Sequence, residues 1–351
     1  MAASGHDIVV IGTSSGGLEA LDALFGGLPN GLAAAVFVVQ HMAPENTGRA
    51  LVRRLEKYRA FTCALARDGE TIKRGRIYVA PPDFHLLVKR RTILVTKGAR
   101  ENRYRPGIDP LFRSAAVAHG PSVIGVILSG ALDDGTAGLV AIQKCGGITV
   151  AQEPHDAAYP QMPQSALANL KVDHCLPAAE LGVLLERLTR QRRGPHRAVP
   201  ADVRTEAMIA ERVLSDVAQV NRLGTQVPYN CPNCGGVLWE VKAPGPRHYR
   251  CHTGHSFTDM ALLTIQSEKI EETLWVSLRM FEERKNLLNT MAKRPRGAAL
   301  SRGKGGYAER AREAEVHIER IREMLLAREA APPPPAANGR KARAGKRKRG
   351  R

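Results

Sequence analysis

Ile8-Val9-Val10-Ile11-Gly12-Thr13-Ser14-Ser15-Gly16-Gly17 is the stretch whose reading decides the fold. Four β-branched residues in succession leave no polar face, so they read as a strand covered on both sides, as in a parallel sheet. The small residues that follow make a tight turn, and Leu18-Glu19-Ala20-Leu21-Asp22-Ala23-Leu24 then takes up a helical pattern. Residues 12–16 fit G-x-S-x-G with Ser14 at the centre, a strand–turn–helix context that lifts a hydroxyl above the sheet edge. Glycine permits the sharp bend, and the N–H groups that open the helix can stabilise a developing oxyanion. A phosphate-binding turn is the competing reading. Leu18 stands where a Walker loop carries lysine, however, and the G-x-G-x-x-G spacing is absent.

Two further apolar runs supply partners for the serine. Ala33-Ala34-Ala35-Val36-Phe37-Val38-Val39 leads into Gln40-His41-Met42, and Val123-Ile124-Gly125-Val126-Ile127-Leu128 leads into Ser129-Gly130-Ala131-Leu132-Asp133-Asp134-Gly135. Open α/β sheets bind ligands at the carboxyl ends of their strands. Parallel strands therefore bring Ser14, His41 and the Asp133/Asp134 pair to one edge. A serine nucleophile needs a base to take its proton, and the base needs an acid to fix its tautomer and stabilise the imidazolium. A doubly wound, mainly parallel α/β sheet is the expected fold.

The first 180 or so residues resemble the catalytic domain of the chemotaxis receptor protein-glutamate methylesterases. The likeness is carried by Ile11-Gly12-Thr13-Ser14-Ser15-Gly16-Gly17, Val38-Val39-Gln40-His41-Met42, and the run from Gly75 to Leu86 containing Tyr78-Val79-Ala80-Pro81-Pro82-Asp83. It continues through Ile108-Asp109-Pro110-Leu111-Phe112-Arg113-Ser114, Asp134-Gly135-Thr136-Ala137-Gly138, Gln152-Glu153-Pro154 and Tyr159-Pro160-Gln161-Met162-Pro163. The resemblance implies Ser14 as nucleophile, His41 as base and Asp134, immediately before Gly135, as the acid, leaving Asp133 outside. The chain order Ser, His, Asp differs from that of the α/β-hydrolases. One departure lies beside the site: the family usually has Gly-Met-Gly here, whereas Gly130 is followed by Ala131 and Leu132. With the first strand beginning near Ile8, the expected arrangement is a stand-alone esterase without a receiver domain. The implied activity is hydrolysis of glutamate γ-methyl esters on methyl-accepting chemotaxis-type receptors or related signalling proteins, with amidase action on receptor glutamine as a second activity. A partner methyltransferase or histidine kinase belongs to the same expectation, and catalysis needs no cofactor.

At 351 residues the chain has room for two or three domains. It has no 18-residue apolar run and Met1–Asp7 lacks signal-peptide anatomy, so a cytoplasmic protein without membrane insertion is expected. Three of the six cysteines, Cys63, Cys145 and Cys175, are isolated among apolar neighbours and read as core residues. The other three form a separate module over 227–258. Cys231-Pro232-Asn233-Cys234 closes half of a zinc site, and Tyr249-Arg250-Cys251-His252-Thr253-Gly254-His255 offers the other half. Cys251 and His255 are spaced for one tetrahedral ion, and His252 is the alternative fourth ligand. A complete ligand set points to a structural zinc in a small ribbon. The ribbon, rather than the esterase, is expected to depend on the ion, with residues 1–190 folding alone.

Residues 191–226 read as a charged linker with one helix around Thr205–Val220. Over 259–329, Leu263, Ile270, Leu274, Leu278, Phe281 and Leu288 recur at helical spacing, Arg294-Pro295-Arg296-Gly297 breaks the pattern, and Tyr307, Ala311, Ala314, Ile318, Ile321 and Leu325 resume it. Steps of four and three make a heptad seam, so an antiparallel hairpin or a coiled-coil homodimer is expected. From Ala330 the chain reads as a disordered tail with eight Lys/Arg and no acid, without which the net charge falls from +18 to +10. Such a tail attracts anionic surfaces, but no fold specific for nucleic acid accompanies it. The remaining positive charge favours approach to acidic receptor helices. The alternative function is a non-enzymatic adaptor in which the esterase fold binds a partner and the ribbon and helices transmit a signal.

Overall fold

The computed structural model describes residues 5–28, 32–58, 60–212, 217–243, 245–293 and 304–329. The break at Arg294–Gly297 and the basic tail from Ala330 lie outside the described residues. The chain divides into two compact units, Met1–Leu263 and Thr264–Arg351.

The first unit is built on seven strands: β1 (Ile8–Thr13), β2 (Ala35–Gln40), β3 (Thr62–Leu65), β4 (Arg76–Val79), β7 (Val123–Ile127), β8 (Ile148–Gln152) and β9 (His174–Leu176). A separate antiparallel hairpin pairs β5 (His85–Val88) with β6 (Ile93–Thr96). The large sheet runs β3-β4-β2-β1-β7-β8-β9, and every neighbouring pair is parallel. Alternate residues of β1 explain the all-apolar run. Ile8 and Val10 join a core with Leu111 and Phe112 of α3 (Ile108–His119) and Leu139 and Ile142 of α4 (Thr136–Lys144). Val9 and Ile11 join the opposite core with Leu21 and Leu24 of α1 (Gly17–Gly26) and Leu181 and Leu185 of α6 (Ala178–Arg190). Helices thus cover both faces, as expected of a doubly wound sheet. Two shorter helices, α2 (Arg49–Glu56) and α5 (Gln161–Asn169), complete this part. Strand order turns at β1, whose neighbours are β2 on one side and β7 on the other, and a crevice opens there at the carboxyl ends.

The cysteine reading needs one correction. Cys145 is buried and Cys63 half-buried, and burial pushes their thiols up to about 11 and about 12. Cys175, expected in the core, is exposed because it sits on the edge strand β9.

The stretch read as a linker carries two helices, α7 (Ala201–Arg212) and α8 (Val217–Leu223). Val203 of α7 joins the core beneath α3, and Ala207 and Ile209 are buried too. Four antiparallel strands follow in sequence order: β10 (Gly224–Asn230), β11 (Val237–Val241), β12 (His248–Cys251) and β13 (Ser256–Thr258). This ribbon is packed onto the part that carries the large sheet through charge. Arg250 of β12 is wholly buried, and its guanidinium donates to Glu101 at 3.1 and 3.2 Å and to Glu206 of α7 at 3.2 Å. Glu101 also pairs with buried Arg113 of α3, and Glu206 with His248 at 3.0 Å. Burial alone would push the Glu101 carboxyl up, but Arg113 and Arg250 outweigh it and hold it below the ordinary range. Such a network contributes through what its loss would expose. Glu101→Ala would leave the buried Arg113 guanidinium without its carboxylate and Arg250 with that of Glu206 alone, and should destabilise the first unit by about 3–5 kcal/mol. Urea unfolding checks this, and a loss below about 1 kcal/mol, the scale of an exposed pair, would show that the charges are not isolated from water.

In the second unit, α9 (Asp259–Lys293) continues into it and α10 (Lys304–Glu329) lies within it. Glu282 meets Arg322 at 2.9 Å, and Lys285 meets Glu315 at 2.6 Å. Numbers rise on one helix as they fall on the other, so the pair is antiparallel. Leu278, Leu288, Ala311, Ala314 and Ile318 are buried along the seam, but Leu263 and Ile270, expected in it, are 57% and 55% exposed. No helix among the described residues is long and apolar enough to cross a membrane.

Candidate active site

Ser14 follows β1 directly, and its N–H donates to the Ser129 carbonyl beyond β7 at 3.0 Å. Gly16, at φ 71°, turns the chain into α1, and a Cβ there would lie 2.7 Å from Ser129 Oγ and 2.8 Å from Ala158 Cβ. Glycine is therefore demanded twice at this position, by conformation and by space. Gln40, the last residue of β2, donates from Nε2 to the Ser14 carbonyl at 2.8 Å and locks the turn against the neighbouring strand.

His41 comes next after β2 and stands between the other two groups. Its Nδ1 lies 3.1 Å from Ser14 Oγ and its Nε2 lies 2.8 Å from Asp134 Oδ2. The tautomer that satisfies both contacts carries its proton on Nε2, donates it to Asp134, and leaves Nδ1 to accept from the serine hydroxyl. The ring is stacked on Tyr104, with centroids 3.6 Å apart and planes 12° from parallel.

Asp134 lies beyond β7 and is almost wholly buried. Its Oδ2 accepts from Ile108 N at 2.7 Å, and its Oδ1 accepts from Gly135 N and from Asn102 Nδ2, both at 3.0 Å. The Ile108 amide opens α3, so the carboxylate sits at the positive end of a helix dipole. Burial would push this carboxyl up, but His41 and these donors outweigh it and keep it below its usual value. Asp109 shares Asn102 Nδ2 with it, and moves the other way. Burial first, then the charge of Asp134, pushes Asp109 up to about 8. The two neighbouring carboxyls are thus driven apart, with Asp134 the one whose charge the surrounding donors favour. Asp133 points elsewhere. It accepts from Thr258 Oγ1 of the ribbon at 2.8 Å, and burial pushes it up to about 6.

Where the resemblance leads one to expect a second glycine, Leu132 takes up φ 62°. A left-handed backbone costs a β-carbon-bearing residue roughly 1–2 kcal/mol, so the local turn has kept the shape that glycine would adopt freely. A groove of about 460 Å³ opens over Ser14 and His41, walled by Tyr104 and by Arg100, Arg103 and Arg105. Arg105 is held by Asp83 and the Gly98 carbonyl.

With this geometry in place the comparisons have a definite object. The family model described as CheB methylesterase matches residues 9–185. The chain belongs to the CheB methylesterase family. A putative protein-glutamate methylesterase/protein-glutamine glutaminase of Leptospira interrogans is 38% identical over 184 residues, which are 52% of this chain and 95% of that protein. A protein-glutamate methylesterase/protein-glutamine glutaminase 2 of Rhodospirillum rubrum is 36% identical over 191 residues, 53% of this chain but only 52% of the relative. The crystal structure of the Thermotoga maritima CheB methylesterase catalytic domain superposes with a TM-score of 0.50 at 35% identity, covering 52% of this chain and 98% of that one. CheB membership thus rests on the half of the chain that holds the serine, histidine and aspartate.

The ribbon brings its own residues together. One ligand atom each of Cys231, Cys234, Cys251 and His255 lies within 4.8 Å of the other three. His255 is the histidine in the group, entering by Nδ1 at 3.5 Å from Cys251 Sγ, while His252 lies beside Gly236. Cys234 and Cys251 sulfurs are 3.8 Å apart.

Three contributors to the site escaped the sequence reading: Gln40 as a lock, Asn102 and Tyr104. The last two sit in 97–107, which has no apolar periodicity. Their signal is conformational, since Asn102 and Arg103 are consecutive left-handed residues, at φ 47° and 78°, and such strain gathers at functional sites.

Proposed function

We propose that the chain is a protein-glutamate methylesterase acting on chemotaxis-type receptors, with Ser14 as nucleophile, His41 as general base and acid, and Asp134 as the carboxylate that orients and stabilises the imidazolium. The observation that carries this reading is the unbroken contact from Ser14 Oγ through His41 to Asp134, at 3.1 and 2.8 Å.

The chemistry follows from these atoms. Ser14 Oγ attacks the γ-ester carbonyl as its proton passes to His41 Nδ1, and the imidazolium so formed is paired with Asp134. The amides at the start of α1 are the donors assigned to the developing oxyanion, where the helix dipole favours negative charge. Collapse breaks the C–O bond to the methoxy group, which leaves with the His41 proton as methanol. Water then attacks the acyl-serine, gives a proton to His41, and Ser14 is regenerated as glutamate departs. A glutamine side chain would follow the same course with ammonia as leaving group, consistent with the second activity printed in the names of the relatives. Arginines at the mouth of the groove suit an acidic receptor helix.

We also assign one zinc to Cys231, Cys234, Cys251 and His255. A tetrahedral ion with Zn–S bonds of about 2.3 Å and Zn–N of about 2.0 Å sets its sulfurs about 3.8 Å apart and a nitrogen about 3.5 Å from a sulfur, which the two separations above match. Four protein ligands leave no open position, so the ion's part is to hold the ribbon.

Methanol release from a methylated receptor fragment, compared between wild type and Ser14→Ala, tests the reading. The same assay separates the two adjacent acids. Asp134→Asn should lose roughly 10³- to 10⁴-fold in turnover because the amide favours the wrong tautomer of His41. Asp133→Asn retains an acceptor for Thr258 and should stay within about tenfold of wild type, the scale of one hydrogen bond. A larger loss in Asp133→Asn would reverse the assignment.

A further inference from the structure

Asn102 is the only described residue that touches both the ribbon and the buried acid through one side chain. Its Oδ1 accepts from Thr258 N of β13 at 3.1 Å, while its Nδ2 donates to Asp134 and Asp109. The backbone on either side is paired with the ribbon as well. Asn102 N donates to the Ser256 carbonyl at 2.8 Å, Glu101 bridges to Ser256 in parallel fashion, and Arg250 reaches over the same stretch to the Glu101 carboxylate. Two residues later, Tyr104 is stacked on His41. Residues 100–104 therefore form a strip with the ribbon on one side and two members of the relay on the other.

Apart from the ion pair of Glu101 with Arg113, the contacts described for the strip run to the ribbon and to the relay. It has left-handed residues at its centre and lies outside every strand and helix. The ribbon edge it leans on begins next to the metal cluster, since Ser256 follows His255, and Cys251 N donates to the His255 carbonyl at 3.0 Å. A short four-stranded ribbon draws most of its folding free energy from its ion. Without the ion β13 has no fixed edge, Asn102 Oδ1 loses its donor, and the carboxamide is no longer held in the one orientation that points Nδ2 at Asp134.

We propose that the metal-held ribbon is a working part of the esterase: it clamps residues 100–104 against the relay, and Asn102 is the positioning residue through which it fixes Asp134. This rests on the assignment of Ser14, His41 and Asp134 as the reacting groups and of the Cys₃His cluster as a metal site. The ribbon is thus more than an appendage with its own stability, and metal content and turnover are linked.

The test uses the full chain, as purified, after chelation with metal content measured, and after zinc is returned, beside Asn102→Ala. Methanol release gives kcat and KM separately, and hydrogen exchange reads amides 100–104 against those of β1 and β7. Chelation and Asn102→Ala should each lower kcat by about 10- to 100-fold with KM nearly unchanged, the scale for groups that orient a reacting residue. Returned zinc should restore the first and not the second. On chelation the amides of 100–104 should lose protection while those of β1 and β7 keep it. Metal-free protein with wild-type kcat and intact protection at 100–104 would overturn the proposal. If wild type releases no methanol, the esterase reading has failed, and the exchange arm, which needs no variant, still decides whether the clamp exists. If wild type carries no metal, the metal reading has failed, and an unchanged kcat in Asn102→Ala would then overturn the positioning role.

Discussion

Ser14→Ala is expected to abolish methanol release, lowering turnover by roughly 10⁴- to 10⁶-fold while the thermal midpoint stays near that of wild type. The hydroxyl is the proposed nucleophile, and its side-chain hydrogen-bond partner among the described residues is His41. Alanine keeps the Cβ and the backbone bonds of the turn, Ser14 N to the Ser129 carbonyl and Gln40 Nε2 to the Ser14 carbonyl, so the turn has no reason to move. His41→Ala should fall as far, and the double variant no further, because a nucleophile and its base act as one unit. The measurement is methanol against time, with circular dichroism melting as the control for folding. A Ser14→Ala protein that kept a tenth of wild-type turnover would end the acyl-enzyme reading.

Removal of the metal is the second large effect. Protein purified without chelator is expected to carry one zinc per chain, and Cys251→Ser or chelation is expected to melt β10–β13. The ion supplies on the order of 10 kcal/mol in isolated fingers, and the four strands are short, three to seven residues each. Of the two histidines, His255→Ala should lose the ion and His252→Ala should keep it, since only the former stands in the cluster. Elemental analysis and the exchange of ribbon amides check both points. A stoichiometry near zero in an ordered ribbon would refute the site. The seven-stranded sheet should survive, because neither of its two apolar cores includes Cys231, Cys234 or Cys251.

Much of the site was legible in the sequence because each of Ser14, His41 and Asp134 follows an apolar run. A strand's burial leaves a strong signature, and its carboxyl end announces where the next polar group will emerge. The cluster of Cys231, Cys234, Cys251 and His255 was legible from the spacing of its cysteines and histidine. The ribbon's attachment was not. Nothing in the spacing of Arg250, Glu101 and Glu206 pairs them, and only the fold buries them together. Asn102 and Tyr104 were hidden by the same limit, since an irregular segment has no period to read. The helical seam was half right: Leu278 and Ile318 meet their partners, but Leu263 and Ile270 show that heptad spacing does not by itself say how far a contact extends.

Ser14 and His41 stand immediately after the paired strands β1 and β2, and Asp134 lies in the turn beyond β7, which carries a consequence for how this site can fail. Thr13 is paired with Gln40, and Gly12 with Ile127, in continuous parallel ladders. Neighbouring strands lie about 4.8 Å apart, and a slip by one residue moves a side chain about 3.3 Å and turns it to the other face. The spacing of the relay is therefore inherited from strand register, with loops adding only the final orientation. Damage to the strip or the ribbon can grade the rate, but the alignment of serine and histidine has no intermediate settings. It is inherited whole when the ladder zips, and it is lost whole when the ladder opens.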